Sequence, residues 1–268
     1  MKKQPFLPAA DAQAGEGPVR LQVDRLRIEI YPDRQRMGVA AAWAVARAMQ
    51  TALARQSQVA MAFAAAPSQN QFLAALTSLP GVDWPRIAAF QLDEYVGLPP
   101  AAPQRFAAFL RSHLFDHVRP GVIHALDGNA RDLAQECGRY ARLLARYPPE
   151  IACIGVGQNG HVAFNEPDVA DFDDEQWVKV VELDPRSRRQ QVQDGCFPAV
   201  EEVPRRALTL TMPAVMAFKQ IYCVVPSAEK AQAIREMLRG PVSPGCPASI
   251  LRCHPQVTLY LDRAAAGL

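Results

Sequence analysis

Ile151-Ala-Cys-Ile-Gly-Val-Gly-Gln-Asn-Gly-His-Val-Ala-Phe-Asn-Glu-Pro167 opens as an apolar run, Ile151 to Val156, with the length and composition of a strand buried on both faces. Gly155, Gly157 and Gly160 break that run with a tight turn, and His161, Asn165 and Glu166 follow at once. These polar side chains are expected where a buried strand empties at a sheet edge, which is where open α/β sheets bind ligands. A histidine with a carboxylate nearby is a proton-handling pair.

Gly155-Val-Gly157-Gln-Asn-Gly160 also fits the dinucleotide fingerprint GxGxxG, with Asp173 and Asp174 near the spacing of a ribose-binding acid. That motif needs a long helix starting at its third glycine, so that the helix N-terminus faces the pyrophosphate. Pro167 arrives too soon, and Asn165-Glu166-Pro167 reads as loop. On a helix, His161 and Glu166 would stand about 140° apart around the axis and could not share a face. They converge only if the chain turns between them. The fingerprint is a decoy.

Outward from this stretch, strands alternate with helices. Leu21 to Ile30, Val59 to Ala65, Ile87 to Leu92, Val178 to Leu183, Ala207 to Met212, Gln220 to Val225 and Val257 to Leu261 read as strands. Helices are expected from Asp33 to about Ala54, after a Ser68/Gln71 capping box, over Pro103 to Val118 and Ala130 to Tyr147, from a Pro226-Ser227 cap through Ala228 to Leu238, and near Ala248. Arg186 to Gln193 is a polar segment with little apolar face. The order predicts an α/β fold, a mostly parallel sheet with helices on both faces in a Rossmann-like three-layer arrangement. Residues 1–20, rich in Ala, Gly, Pro and Gln, read as a flexible tail, and 21–268 as one domain.

The chain has 268 residues, 49% of them hydrophobic, enough for a large core without disulfides. A net charge of +2 with scattered basic residues gives no footprint for nucleic acid. No apolar run approaches the length of a membrane span, and the start lacks the apolar core of a signal peptide. Six cysteines without a CxxC pair read as reduced thiols of a cytoplasmic protein. A homo-oligomer is left open.

Three other places could carry chemistry. Asp93 closes the strand from Ile87, so it should sit at the same sheet edge as His161. Neighbouring residues of an extended chain point oppositely, so only one of Asp93 and Glu94 can face a given site. Partial burial there would raise the carboxyl pKa toward the range of a useful base. Ser68 and Ser227 each follow a strand and open a helix, where free amides and the dipole suit an anion. Lys230, in the first turn after Ser227, is locally unfavourable against that dipole and fits better beside a bound phosphate. The histidines have no metal-ligand spacing; His113 and His117, four apart, lack a third ligand. No GxSxG or Cys/His nucleophile motif is present.

Phe90-Gln-Leu-Asp-Glu-Tyr-Val-Gly-Leu-Pro99 together with Gly155-Val-Gly-Gln-Asn-Gly-His-Val-Ala-Phe-Asn-Glu-Pro167 strongly resembles the two signatures of the glucosamine-6-phosphate deaminase (isomerase) family. Leu126-Asp-Gly-Asn129 is similar as well. The resemblance implies conversion of glucosamine 6-phosphate, a small sugar phosphate, to fructose 6-phosphate and ammonia without cofactor or metal. It makes Asp93 the base that moves a proton from C2 to C1 through an enediol. His161, with Asn159 beside it and Glu166 holding it, would assist ring opening. It assigns substrate binding to Ser68, Glu94, Gly160, Arg188 and Lys230.

The chain departs from the family pattern in three places. Asn159 stands where Asp is frequent; it can hydrogen-bond His161 but brings no charge. A Thr-Gly-Gly-Thr-Pro phosphate loop is replaced by Ala65-Ala-Pro-Ser68-Gln, which restricts how closely amides wrap a phosphate. The family's lid arginine falls at Gln193, with Arg188 and Arg189 nearby. The nearest enzymatic alternative is a 6-phosphogluconolactonase, whose similar turn continues toward Ser-Leu-Phe-Pro; Glu166 and the Asp93-Glu-Tyr motif favour the deaminase. A non-catalytic sugar-phosphate sensor is the alternative from a different class.

Overall fold

Along each central strand, successive apolar side chains enter two different cores, and that alternation builds the layers. The computed structural model describes residues 17–193 and 195–268. Its strands are β1 (Val19–Val23), β2 (Leu26–Tyr31), β3 (Val59–Phe63), β4 (Ile87–Gln91), β5 (Asp93–Tyr95), β6 (Val122–His124), β7 (Pro149–Ile154), β8 (Val178–Glu182), β9 (Arg206–Leu210), β10 (Gln220–Val225) and β11 (Val257–Asp262). The helices are α1 (Arg34–Leu53), α2 (Asn70–Ser78), α3 (Phe106–Leu110), α4 (Asp116–Val118), α5 (Leu133–Arg146), α6 (Pro185–Gln193), α7 (Met212–Met216) and α8 (Ala231–Arg239).

Eight strands form one sheet in the order β1-β2-β11-β10-β7-β3-β4-β6, parallel except for the β1–β2 pair. Val59, Met61 and Phe63 of β3, with Ile151 and Cys153 of β7, pack against α1 and α2 residues such as Met49 and Phe72. Their neighbours Ala60, Ala62, Ala152 and Ile154 enter the opposite core with Tyr140 of α5 and Ile234 of α8. Period-two alternation between two apolar layers is why these strands read as continuous hydrophobic runs. After β3 the chain progresses toward β4 and β6; after β7 it progresses the other way, to β10 and β11. The connections leaving β3 and β7 therefore diverge and open a crevice at their carboxyl ends.

Several boundaries differ from the sequence reading. Leu21 to Ile30 is not one strand: Asp24, at φ +51, turns a hairpin between β1 and β2. The expected tail gives way to β1 by Val19, and residues 1–16 lie outside the described residues. Ser68 and Gln71 form no capping box, because Pro67–Gln69 makes a 3₁₀ turn before α2 and no side chain caps it. Ser227 does not cap either; it sits at φ +87, and Ala228–Lys230 is a second 3₁₀ turn. The helix expected from Pro103 begins at Phe106 and passes through a π-helical segment, Arg111–Phe115. A separate antiparallel sheet, β5-β9-β8, was not expected at all. No helix follows Gly160 before α6, so the fingerprint is a decoy in the structure too.

Candidate active site

The four central strands β10, β7, β3 and β4 deliver their carboxyl ends to one cleft of about 690 Å³. Lys230 follows β10, His161 follows β7, Ser68 follows β3 and Asp93 follows β4; all four line it. The turn after β7, which is tied to β9 by the Phe164 amide donating to Thr209 Oγ1, and α6 add walls to it through Phe164 and through Gln190, Gln191 and Gln193.

Asp93 leaves the main sheet and opens β5, paired with Thr209 of β9. The switch between sheets at Leu92 turns the Asp93 carboxyl into the cleft and Glu94 the other way, as alternation requires. Asp93 is 8% exposed, and no hydrogen-bond donor among the described residues reaches its carboxylate. Burial, reinforced by the nearby Glu94 charge, pushes its pKa well above the usual carboxylate value. A desolvated, poorly solvated carboxylate is a strong base in waiting.

His161 is held from behind. Its Nδ1 lies 2.7 Å from Asn159 Oδ1 and 3.2 Å from Glu166 Oε2, while Asn159 Nδ2 donates to the same Glu166 oxygen. Glu166 Oε1 accepts from Ser187 Oγ at 2.5 Å. Burial alone would raise the Glu166 carboxyl pKa, but bonds to His161, Ser187 and Asn159 outweigh it and hold the value below the ordinary one. With Nδ1–H directed at Asn159 and Glu166, Nε2 is left with its lone pair for the cleft. Gly157 makes room for this ring: a Cβ there would fall 2.1–2.3 Å from three imidazole atoms. Ala163, at φ +51, turns the chain so that Glu166 returns beneath His161.

Ser68, which lines the same cleft after β3, accepts from Gln69 Nε2 at 3.3 Å through its Oγ, so the hydroxyl proton is available to an acceptor there. Gln69 is itself fixed by Val224 O of β10. The Ser227 amide is held by both oxygens of Asp262 at 3.1 Å. Lys230 sits at the start of α8, and Arg34, whose Nε donates to Gln71, reaches the same cleft from α1. Two cations and a hydroxyl therefore share the cleft with the carboxylate and the imidazole.

The profile of the family described as glucosamine-6-phosphate isomerases/6-phosphogluconolactonase matches residues 32–260. The chain belongs to that family. It is 37% identical over 187 residues to a glucosamine-6-phosphate deaminase of Lactobacillus delbrueckii subsp. bulgaricus, covering 70% of this chain and 78% of that one. A glucosamine-6-phosphate deaminase of Bacillus thuringiensis is 36% identical over 187 residues, 70% of each chain. Among solved structures, a monomeric glucosamine-6-phosphate deaminase superposes with a TM-score of 0.83 at 28% identity, covering 89% of this chain and 98% of that one. The 6-phosphogluconolactonase of Thermotoga maritima shares the fold, with a TM-score of 0.71 at 18% identity over 88% of this chain and 98% of that one.

Not every residue that the sequence suggested for this glucosamine-6-phosphate isomerase/6-phosphogluconolactonase family member reaches the cleft. Glu94 is fully buried and accepts from the amides of Tyr95, Phe106 and Ala107, with the Arg105 guanidinium 3.8 Å away. It anchors the start of α3 rather than touching a ligand. Gly160, at φ +83, lies behind the turn, where its carbonyl accepts from Ala248 and a Cβ would strike Cys246 Sγ. Arg188 donates to the carbonyls of Val200 and Val203 and does not line the cleft. Asn165 is buried and ties the turn to β9 through Leu210 O. Asn159 and Glu166 stand one layer back, behind His161. Arg34, Gln104 and Ser187 escaped the sequence reading; each lies on a helix or loop whose approach to the cleft no local pattern encodes. Among the described residues no three His, Cys, Asp or Glu side chains gather as a metal site, and no helix is long and apolar enough to cross a membrane.

Proposed function

We propose that this protein is a glucosamine-6-phosphate deaminase, isomerising an amino-sugar phosphate with release of ammonia: glucosamine 6-phosphate plus water to fructose 6-phosphate plus ammonia. The observation that carries the reading is the convergence of Asp93 and His161 on one cleft with Ser68, Lys230 and Arg34. The relatives at 36–37% identity point to the same reaction.

In this reading the phosphate lies against Ser68, Lys230 and Arg34, which fixes the sugar so that its first two carbons meet the acid–base end. His161 Nε2 takes the proton of the anomeric hydroxyl and returns one to the ring oxygen, opening the hemiacetal. Nδ1–H stays on Asn159 and Glu166, which steady the ring through both steps. Asp93 then removes the C2 proton while the C1 carbonyl oxygen takes one, and the electrons of the C2–H bond form the C1=C2 bond of an enaminol, the amino counterpart of an enediol. Asp93 returns its proton to C1 as the nitrogen gives one up and becomes an imine at C2, so that the proton gained at O1 is matched by the one lost from nitrogen. Water adds to the imine carbon and ammonia leaves, giving the ketose. A buried base with a raised pKa suits abstraction of a carbon acid's proton. Cytoplasmic location belongs to the same proposal and is supported by six free cysteines, which suit a reducing compartment.

The test is a substrate panel: glucosamine 6-phosphate, other hexosamine 6-phosphates and 6-phosphogluconolactone, with ammonia and ketose phosphate measured. Ammonia release from a hexosamine 6-phosphate, falling at least about a hundredfold in Asp93→Asn, is expected. Lactone hydrolysis without ammonia would replace the reading by the lactonase. Binding without turnover of any of them would replace it by a sensor.

A further inference from the structure

We propose that Ser187 is a positioning residue that links the α6 wall of the cleft to the proton-transfer group at His161. The inference rests on the role given to His161 above. Ser187 is 4% exposed and stands on the inner side of α6, with its hydroxyl donating to Glu166 Oε1 at 2.5 Å. The other Glu166 oxygen takes Asn159 Nδ2 and faces His161 Nδ1 at 3.2 Å. One carboxylate is thus held from two sides, by the turn after β7 and by a helix remote from it in sequence.

That helix has a single apolar anchor. Its sequence is PRSRRQQVQ, its buried residues are Ser187 and Gln190, both polar, and half-buried Val192 packs against the cluster that holds Tyr95 and Phe164. Arg188 ties it to Val200 and Val203 through backbone carbonyls. Gln190 and Gln191 stand three and four residues after Ser187, on the same helical face, and both line the cleft. A sugar resting on those amides presses on the face that carries the Ser187 hydroxyl. An element with so few apolar contacts is easily ordered or displaced by what lies against it. Occupancy of the cleft is therefore read by α6 and passed through Ser187 to the carboxylate behind His161.

His161 is the titratable group in direct contact with Glu166, and its other hydrogen-bond partners, Asn159 and Ser187, are neutral. Removing the hydroxyl takes away one of the three bonds that keep the Glu166 carboxyl ionised. Glu166 then protonates at higher pH, and the hold on His161 Nδ1–H fails earlier as pH falls.

The experiment compares Ser187→Ala and Ser187→Thr in the full-length enzyme. The alanine variant is expected to lose kcat by about 10- to 100-fold, the range for a hydrogen bond to a buried charge, with KM changed by less than about three-fold. The acidic limb of its kcat profile should move to higher pH, and threonine should restore rate and limb together. The Glu166 carboxyl titration, followed by ¹³C NMR in the unliganded protein, should shift upward in Ser187→Ala. That readout stands even where the substrate panel fails. An alanine variant with native kcat and an unmoved limb, or an unchanged Glu166 titration, overturns the proposal. So does a loss that threonine does not repair, since that marks a structural role only.

Discussion

At Asp93, folding and chemistry pull against each other. Its carboxyl is buried beside Glu94 with no hydrogen-bond donor to it among the described residues, and its pKa is raised. For a carboxyl whose folded pKa exceeds its unfolded one, the native state holds the proton more tightly. Stability therefore falls as pH rises from the unfolded value of about 4 through the folded one. Asp93→Asn removes that penalty. The variant should be more stable than the parent by roughly 1–3 kcal/mol at pH 8, the cost of an uncompensated buried polar group, with the gap closing near pH 4. Urea unfolding at the two pH values checks this; an equal gap at both would refute the desolvated-base account. Turnover in the same variant should fall by about 10²- to 10⁴-fold, the usual contribution of a positioned base. Gly157 makes the complementary case, because its missing Cβ is the space the His161 ring fills. Gly157→Ala should cut kcat at least about ten-fold by displacing the imidazole, with the chain still folded. Native kcat in a folded Gly157→Ala would show that the ring need not lie there.

Elements explain how much of this could be read in advance. β3, β4, β7 and β10 were legible because each is a short apolar run buried on both faces, and the residues after them fell where the crevice opens. Asp93, His161, Ser68 and Lys230 were legible for that reason. The β5-β9-β8 sheet was not, because β5 is three residues long and finds its partner, Ala207 to Thr209, far along the chain. Ser187 and Arg34 were hidden likewise: their roles come from where α6 and α1 pack, not from spacing. Glu94, which the resemblance offered as a substrate contact, does not line the cleft, as the alternation beside Asp93 requires. Its neighbours instead make it the anchor of α3, accepting from Tyr95, Phe106 and Ala107 amides. Phe106 and Phe109 of α3 line the cleft, so the anchor holds a wall of the site. Glu94→Ala should cost roughly 3–5 kcal/mol, the scale for breaking a buried charged network, and expose the α3 amides to faster hydrogen exchange. A loss below about 1 kcal/mol, with native exchange at Phe106 and Ala107, would mean that α3 holds its place without Glu94.

At the scale of the whole molecule, the cleft gathers both kinds of charge at one edge of the sheet. Lys230, Arg34 and the Ser68 hydroxyl line it together with the Asp93 carboxyl and His161. The parallel sheet delivers Lys230, His161, Ser68 and Asp93 at successive strand ends, and α6 adds a wall. A ligand whose anion meets the two cations should therefore stabilise the fold by mass action, about 2.7 kcal/mol at a hundredfold excess over Kd. An open-chain hexitol 6-phosphate, which has the phosphate and hydroxyls but no carbonyl to react, isolates this effect from turnover. It should raise the Tm of the parent by several degrees, whereas the same hexitol without phosphate should not. In Lys230→Ala and Arg34→Ala the half-maximal hexitol phosphate concentration should each rise by about 10-fold, as loss of a charge-assisted contact implies. Raised ionic strength should weaken binding to the parent more than to either variant, because fewer charges remain to screen. Equal responses to the two hexitols, with or without phosphate, would move the anion site away from Lys230 and Arg34 and leave the polarity of the cleft without its ligand.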